Sequence, residues 1–229
     1  VRGELTDIST DLRDPYTRIP QNYFNVFPSA SLSYKVQPNK TIQLSYSYRI
    51  NRPDFRMLLP FSDFRDPRVL FGGNPNLLPV YTNSIETGYL LDWDYGSVMP
   101  NVYYRHRRNV IERIITDPDE EGRSRVMPIN LSEENAYGIE LNLSLNIQDW
   151  WRVNTNANFY RAIRSGTYEG EVLESDTYTW TSRTTSKMTF FRNLDFQASF
   201  NYRAPRLTTQ GKDLSIYSLD LGLSRDVLN

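Results

Sequence analysis

Arginines cluster in one short segment of the chain, where they could bind an anion. Arg105, Arg107, Arg108 and Arg113 lie close together in the sequence. If this segment is a strand, the alternation of side chains places Arg105 and Arg107 on one face, together with Tyr103. Guanidinium groups bind carboxylates and phosphates through paired hydrogen bonds. Arg105, Arg107, Arg113 and Tyr103 are therefore the candidate ligand-binding residues.

Two other roles are open for the same arginines. They could form ion pairs with Glu86 or Glu140, if those carboxylates lie on neighbouring strands, and we favour this structural role. They could also contact lipid phosphates.

Catalysis finds little support in the sequence. His106 is the only histidine. A Ser-His-Asp site would need a particular serine and an orienting carboxylate beside it, and the sequence indicates neither. The motifs of nucleotide-binding loops, zinc proteases and serine hydrolases are absent, and one histidine cannot build an imidazole metal site. We predict that the chain is not an enzyme and that it has no cofactor. His106 is predicted to be a solvent-exposed polar residue toward the outer end of a strand.

Acidic residues are concentrated in the segment Asp117-Pro118-Asp119-Glu120-Glu121. Such a loop could hold Ca²⁺, but its spacing does not match an EF-hand. We favour a solvated acidic loop and interpret Glu133 and Glu134 likewise as loop charges. No metal site is predicted.

Composition excludes several classes of protein. The 229 residues include 26 Lys and Arg against 27 Asp and Glu, a formal net charge of −1, which argues against a nucleic-acid binder. Without cysteine, neither a disulfide framework nor a thiolate metal site can form. The mean hydropathy of −0.58 and the lack of a long apolar run exclude a membrane-spanning helix, but not a barrel of alternating strands. The aromatic content of 14% favours strands.

Alternation of apolar and polar residues recurs along the whole chain. In the clearest case, residues 139–147, the odd positions are aliphatic and the even positions polar. Each such strand has one apolar and one polar face. The pattern predicts about ten strands, each near the length with which a tilted strand crosses a bilayer. They are residues 1–10, 26–36, 42–50, 83–93, 97–109, 139–147, 152–162, 177–190, 194–202 and 214–226.

Short and long connections alternate between these strands. The predicted tight turns are 37–40, 94–97, 148–150 and 191–193, and the predicted long polar loops are 11–25, 51–82, 113–136, 164–176 and 204–213. In an antiparallel meander, alternate connections lie at the same end of the sheet. All short turns then share one rim and all long loops the other, which is typical of transmembrane barrels.

Aromatic residues collect at the short turns, as in a girdle at a membrane interface. They are Trp93, Tyr95, Trp150, Trp151, Phe190 and Phe191. The alternative is a soluble β-sandwich that binds glycans or acts in adhesion. The polar faces, rich in Asn, Ser, Thr, Gln and Arg, favour a wet lumen instead. We predict an all-β, antiparallel up-and-down meander of about ten strands within a transmembrane barrel.

One stretch resembles a known family. Arg49-Ile50-Asn51-Arg52-Pro53 ends a predicted strand, and Leu59-Pro60-Phe61, Asp66-Pro67 and Gly73-Asn74-Pro75-Asn76-Leu77-Leu78-Pro79 follow before a strand with Ser84-Ile85-Glu86-Thr87-Gly88-Tyr89. This order resembles the barrel of TonB-dependent outer-membrane receptors, and most closely the outer-membrane β-barrel branch common in Bacteroidetes. Val80 departs from the pattern, since the family usually has an acidic residue there.

The resemblance implies a barrel of about 22 strands that is filled by a plug domain. Residues 1–229 would then form one partial barrel domain from the C-terminal half, without the plug. It further implies a receptor in the bacterial outer membrane that imports a scarce nutrient, such as a siderophore or a glycan. The implied partners are outer-membrane lipid, a small-molecule or oligosaccharide ligand, and a TonB-type energy-coupling protein that acts through regions outside this chain. No nucleic acid is implied.

The motif itself is predicted to be structural. Gly72 and Gly73 permit unusual dihedral angles, Asn74 can bond to its own backbone, and Pro75 and Pro79 restrict the residues before them. The set Gly73, Asn74, Pro75, Leu77 and Pro79, with Glu86 in the next strand, would guide the chain from an outer loop into the wall.

The first and last predicted strands, 1–10 and 214–226, would be unpaired edges. Exposed strand edges favour pairing with another chain, so we expect self-association of this piece in isolation.

Overall fold

The computed structural model of the chain describes residues 1–13, 16–59, 68–191 and 193–225, without the side chains of residues 10–17 and 21. Strands dominate it. They are β1 (Arg2–Arg13), β2 (Tyr16–Phe27), β3 (Ser29–Gln37), β4 (Lys40–Asn51), β5 (Val69–Phe71), β6 (Val80–Trp93), β7 (Gly96–Ile115), β8 (Ser124–Gln148), β9 (Trp151–Tyr168), β10 (Glu171–Phe190), β11 (Leu194–Arg203), β12 (Arg206–Thr208), β13 (Gly211–Asp213) and β14 (Ile216–Arg225). The helix α1 spans Phe55–Leu58.

One antiparallel meander forms the body of the structure. Its strand order is β14-β11-β10-β9-β8-β7-β6-β4-β3, and the short β5 pairs in parallel with β8 at one end. β1 pairs with β2, and β12 pairs with β13, in two separate hairpins. All ten strands predicted from alternation are present, so the predicted all-β meander is confirmed.

The two faces of the meander differ as the alternation predicts. On β8, Ile139 lies on the outer face with 53% of its surface exposed, and Phe159 of β9 lies beside it with 55% exposed. The neighbouring positions Glu140 and Asn158 face the opposite, inner side, where they are half-buried. A soluble sandwich would bury the apolar face against a second sheet. Here that face is open and is suited to lipid.

Three of the predicted long loops are wrong. Residues 11–25 belong mostly to β1 and β2, residues 113–136 continue β7 and β8, and residues 164–176 continue β9 and β10. These extensions do not alternate regularly between apolar and polar residues, so they lack the pattern that reveals a strand in sequence. The backbone nevertheless forms a continuous antiparallel ladder.

The other two predicted loops contain short elements. Residues 51–82 include α1, which begins after Asp54, whose side chain accepts a hydrogen bond from the Arg56 N–H at 2.9 Å. Residues 204–213 contain the β12–β13 hairpin. No helix in the described part of the chain has the length and apolar character to cross a membrane.

The four predicted tight turns lie at one rim, and aromatic side chains gather there, whereas β9 and β10 are joined at the opposite rim by a further tight turn at residues 169–170. The ring centroids of Trp150 and Phe190 are 5.6 Å apart, and those of Trp150 and Trp151 are 6.1 Å apart. The Trp151 indole N–H donates to the Ser186 hydroxyl at 2.9 Å. Phe191 is 91% exposed at its turn. This arrangement is that of an interfacial girdle.

The edges of the meander are β14, as predicted, and β3. Every residue of β3 and of β14 is exposed. The prediction that residues 1–10 form the second edge of this sheet is wrong, because β1 pairs with β2 instead. β2 runs into β3 through Pro28, whose carbonyl accepts a hydrogen bond from the Tyr48 N–H at 3.0 Å. Self-association through these edges stays a prediction.

Candidate functional site: a cavity on the inner wall

A cavity of about 540 Å³ lies on the inner face of β4 and β6–β10. Polar and charged side chains line most of it, among them Arg49, Ser84, Glu86, Tyr103, Arg105 and Arg107. They come together because alternate residues of adjacent strands point to the same face, and the ladder places Glu86 opposite Tyr103 and Ser84 opposite Arg105.

Arg105 and Tyr103 form the centre of this cavity. The guanidinium carbon of Arg105 lies 4.1 Å from the centroid of the Tyr103 ring, a cation–π contact. Its Nη2 donates to the Glu86 carboxylate at 3.1 Å, and Ser84 donates to the same oxygen at 2.8 Å. Tyr103 is only 4% exposed, and its hydroxyl donates to the Asn158 side chain at 2.9 Å. Arg105 is thus presented to the cavity by a buried aromatic support.

A chain of charges continues from the cavity toward the outer end of the wall. Arg107 of β7 pairs with Glu134 of β8, and Arg164 of β9 donates to Glu134 at 2.5 Å. Glu112 lies 3.6 Å from Arg164. Glu134 is only 2% exposed. The interpretation of Glu134 as a loop charge is therefore wrong, because β8 begins at Ser124 and carries Glu134 on its inner face.

The predicted ion pairs form in part. Arg105 pairs with Glu86, as the structural alternative expected. Glu140 instead accepts hydrogen bonds from the side chains of Asn156 at 2.8 Å and Asn142 at 3.3 Å. Arg107 finds its partner in Glu134, which sequence reasoning had assigned to a loop.

A β-bulge separates Arg113 from the other candidate residues. The pairing of β7 with β8 shifts between Arg107 and Val110, and Asn109 has a positive φ of 56°. The extra residue reverses the faces of the strand beyond it. Ile114 is therefore buried on the inner side, whereas Arg113 is exposed on the opposite side.

Arg108 and His106 also lie away from the cavity. They occupy the outer face, one position out of phase with Arg105 and Arg107. The Nδ1 atom of His106 lies 3.0 Å from the Asn135 amide oxygen, and Arg108 donates to the Tyr48 hydroxyl at 3.4 Å. Contact of this outer-face group with lipid phosphates stays a prediction.

The glycine–asparagine–proline loop is anchored to its surroundings at several points. Gly73 N–H donates to the Leu59 carbonyl at 2.9 Å, and the Asn74 side chain donates to the Pro128 carbonyl at 3.2 Å. The Asn74 side chain also accepts from the Asn76 N–H at 3.0 Å, closing a local turn. Leu77 is completely buried. The motif residues within 60–67 lie outside the described residues.

Asn130 of β8 completes this anchor and was missed in the sequence. Its amide accepts from the Leu78 N–H at 2.7 Å and donates to the Leu78 carbonyl at 2.9 Å. It also donates to the Asn109 carbonyl at 2.9 Å, while Asn109 donates to the Pro79 carbonyl at 3.3 Å. The loop motif and the β7 bulge are therefore tied together. No sequence motif marks Asn130, because its partners are far away in the chain.

The conformational reason given for Gly73 is wrong. Positive φ occurs in the described glycines at Gly122 and Gly170, not at Gly73. Gly73 is required for space, since a Cβ there would lie 2.3 Å from the Leu59 carbonyl oxygen and 2.6 Å from that of Met57.

The acidic segment 117–121 folds around an arginine. Arg123 donates its backbone N–H to Asp119 at 2.9 Å and its Nε–H at 3.0 Å. These contacts hold the pKa of the Asp119 carboxyl below its usual range. Among the described residues, no group of three acidic or histidine side chains is arranged to hold a metal ion.

Comparison with known proteins agrees with this architecture. The model of the outer membrane protein beta-barrel family matches residues 1–229. Among proteins with curated annotation, none matches the chain in sequence.

Solved receptors share the fold at low sequence identity. A mutant of the ferric enterobactin receptor PfeA of Pseudomonas aeruginosa is 16% identical, with a TM-score of 0.57 over 92% of this chain and 34% of that one. The siderophore receptor PirA of Acinetobacter baumannii is 13% identical, with a TM-score of 0.58 over 93% and 36%. The FrpB iron transporter of Neisseria meningitidis is 10% identical, with a TM-score of 0.56 over 93% and 33%.

This chain therefore spans about a third of the length of these solved proteins. Its lipid-compatible outer face, polar inner face and single meander are those of a partial barrel wall. The chain belongs to the outer membrane protein beta-barrel family, and it forms part of a larger barrel in the bacterial outer membrane.

Proposed function

We propose that this chain forms part of the wall of a receptor that imports an anionic nutrient, a ferric siderophore or an acidic sugar. The proposal assigns binding to Arg105, Tyr103 and Arg107 on the inner face. The energy for import would come from a TonB-type protein acting through regions outside this chain. The apolar outer face would contact outer-membrane lipid. Arg113 is left out of the binding group, since the bulge places it on the other face.

The observation that carries the proposal is the presentation of Arg105. Its guanidinium rests on the Tyr103 ring and faces the cavity, with 36% of its side chain exposed. A guanidinium has five N–H donors, and the contact with Glu86 uses Nη2. An anion in the cavity can therefore be bound without breaking the ion pair.

The charge of the cavity has the sign that an anion requires. Arg49, Arg105 and Arg107 line it together with Glu86 and Glu134, so three positive charges face two negative ones. Because Glu134 is buried and pairs with both Arg107 and Arg164, these charges compensate one another within the wall, which leaves Arg49 and Arg105 against Glu86. The accessible part of the cavity is accordingly positive, which raises the local concentration of anions.

The solved relatives support the substrate class. PfeA is described as a receptor for ferric enterobactin, PirA as a siderophore receptor and FrpB as an iron transporter. Ferric catecholate complexes carry negative charge, and this property is shared with acidic sugars. Charge alone therefore does not decide which of the two ligands is imported, and an experiment is needed to distinguish them.

The test uses the complete receptor in its host. Uptake of radiolabelled iron supplied as ferric enterobactin, and uptake of a fluorescent oligogalacturonide, are measured with the receptor gene intact and deleted. We expect one of the two uptakes to require the receptor and to stop when an uncoupler removes the proton gradient. If deletion leaves both uptakes unchanged, the proposal is wrong.

A further inference from the structure

A glycine lies in the middle of the inner wall, between two tyrosines. In the ladder of the meander, Gly138 of β8 is directly opposite Tyr103 of β7 on one side and Tyr160 of β9 on the other. Residues that are paired across a ladder point to the same face, so all three belong to the inner face. Tyr103 and Tyr160 both line the cavity. The surface of β8 between them therefore has room for a neighbouring side chain.

The close approach of β8 and β9 explains why position 138 is a glycine. A Cβ at Gly138 would lie 2.3 Å from the Phe159 carbonyl oxygen and 2.6 Å from the Tyr160 Cβ. Both atoms belong to β9, so a larger residue at position 138 would have to push β9 away from β8. The φ of Gly138 is not positive. The glycine is therefore required for space and not for an unusual backbone conformation.

The side chain of Tyr103 reaches across β8. Its hydroxyl donates to the Asn158 side chain of β9 at 2.9 Å, although β8 lies between β7 and β9, which are about 10 Å apart at the usual strand spacing. The ring must therefore lie over β8, and the residue opposite Tyr103 there is Gly138. A side chain at position 138 would occupy the space of the ring or move Asn158 out of hydrogen-bonding distance.

The orientation of the Tyr103 ring determines where Arg105 lies. The guanidinium carbon of Arg105 is 4.1 Å from the centroid of this ring. A cation–π contact of this kind requires the face of the ring, because the face carries negative charge and the edge carries positive charge. If the ring were lifted or turned, it would no longer attract the guanidinium. Arg105 therefore keeps its position in the cavity only while Tyr103 is held by Asn158.

We propose that Gly138 is a positioning residue for the anion-binding Arg105. By allowing β9 to approach β8, Gly138 places Asn158 within reach of the Tyr103 hydroxyl, and the ring that is held in this way supports the guanidinium of Arg105. Gly138 acts through Tyr103 and Arg105, without contact to the ligand itself. This role deepens the proposed function, on which it rests, by adding the residue that sets the direction of the binding group.

The first experiment observes the Tyr103 ring without any ligand. Fluorotyrosine is incorporated at position 103 of the complete receptor, and its fluorine NMR resonance is recorded in light and in heavy water, between which the resonance of a solvent-exposed ring shifts. Gly138→Ala is compared with Gly96→Ala, whose Cβ would lie 2.2 Å from the Ser144 carbonyl oxygen. The control therefore strains the ladder of β7 and β8 to a similar extent, but at the tight turn 94–97, away from the cavity.

We expect Gly138→Ala to move the fluorine resonance and to make it sensitive to the solvent, because the ring loses its bond to Asn158. Gly96→Ala should leave the resonance as it is in the parent. Asn158→Leu removes the acceptor without straining the backbone and should reproduce the effect, so the test also holds if Gly138→Ala does not fold. An unchanged resonance in Asn158→Leu, or an equal change in Gly96→Ala, would overturn the proposal.

A second experiment separates the positioning role from the proposed function. The affinity of the complete receptor for ferric enterobactin is measured by isothermal titration for Gly138→Ala, for Arg105→Gln and for both changes together. Because Gly138 acts through Arg105, Gly138→Ala should weaken binding by about tenfold at most, and it should have no further effect once Arg105 is replaced. Losses that multiply in the double variant would overturn the proposal. A fluorine resonance that responds as expected, in a receptor that does not bind ferric enterobactin, would support the positioning role and contradict the import of this ligand.

Discussion

Arg164 donates a hydrogen bond of 2.5 Å to Glu134, across the ladder between β9 and β8. Glu134 also pairs with Arg107 of β7, so one buried carboxylate holds arginines from both neighbouring strands. Buried charges are tolerated when they are paired in this way, and removal of one partner leaves the others uncompensated. Glu134 and its two arginines therefore hold β7, β8 and β9 together at the point where the wall leaves the apolar band.

Glu134→Gln should destabilise the complete barrel by about 3 kcal/mol, because it leaves two arginines without their common partner. The measurement is urea-induced unfolding in lipid vesicles. Glu133→Gln is the matched control, since Glu133 is adjacent in sequence and exposed. Equal losses for the two variants would show that burial and pairing of Glu134 are not the cause.

Leu143→Arg should impair insertion, because Leu143 lies on the outer face of β8 in the middle of its alternating segment, residues 139–147. An arginine on the lipid face near the bilayer midplane costs about 2–4 kcal/mol. Asn142→Arg places the same side chain on the inner face, one residue away, and should fold nearly as well as the parent. Folding yield into vesicles distinguishes them, and a reversed order would contradict the assignment of the faces.

Gly73→Ala should loosen the outer loop while the barrel remains folded. Its added Cβ would meet backbone oxygens of Leu59 and Met57, and overpacking of this kind typically costs about 1–3 kcal/mol. Limited proteolysis should cut within residues 51–82 faster than in the parent. Gly222→Ala is the control, because a Cβ at Gly222 meets open space. An unchanged rate of cleavage in Gly73→Ala would indicate that the loop accommodates the added Cβ without strain.

Arg105→Gln should weaken binding of ferric enterobactin by about tenfold, the effect of losing one charge-assisted contact. Folding should be little affected, since the pair with Glu86 is partly exposed. Arg113→Gln removes the same charge from the opposite face and should bind normally. Isothermal titration of the complete receptor gives both affinities. A larger loss of affinity in Arg113→Gln than in Arg105→Gln would indicate that the ligand binds on the face of Arg113 instead.

The membrane-spanning part of the fold was predictable because alternation is strongest there. Residues 139–147 alternate without exception, and the structure extends β8 well beyond them to Ser124–Gln148. The extension carries Glu134 and Ser132 inward, where both are buried, and lies beyond the segment with regular alternation. Without lipid on one face, selection for apolar residues at every second position disappears. The sequence then looks like a loop although its backbone is paired.

The candidate site was predictable only up to the bulge. Tyr103, Arg105 and Arg107 share a face, as alternation requires, and Arg105 finds Glu86. Asn109 then shifts the register, and Arg113 moves to the other side. Asparagine adopts positive φ more readily than most residues, but a single asparagine in a strand is not enough to predict a bulge. The contact of the β12–β13 hairpin with β7 was beyond prediction, because Thr209 and Glu112 lie 97 residues apart.

The length of β8 also determines where the barrel opens to its surroundings. At about 3.3 Å per residue and a tilt near 40°, its 25 residues rise about 60 Å, whereas the apolar band is about 25 Å tall. The outer end of β8 therefore stands some tens of ångströms beyond the apolar band. Because β7 remains hydrogen-bonded to β8 nearly to this height, up to the pair of Ile115 and Val126, this part of the wall keeps its shape before any solute arrives.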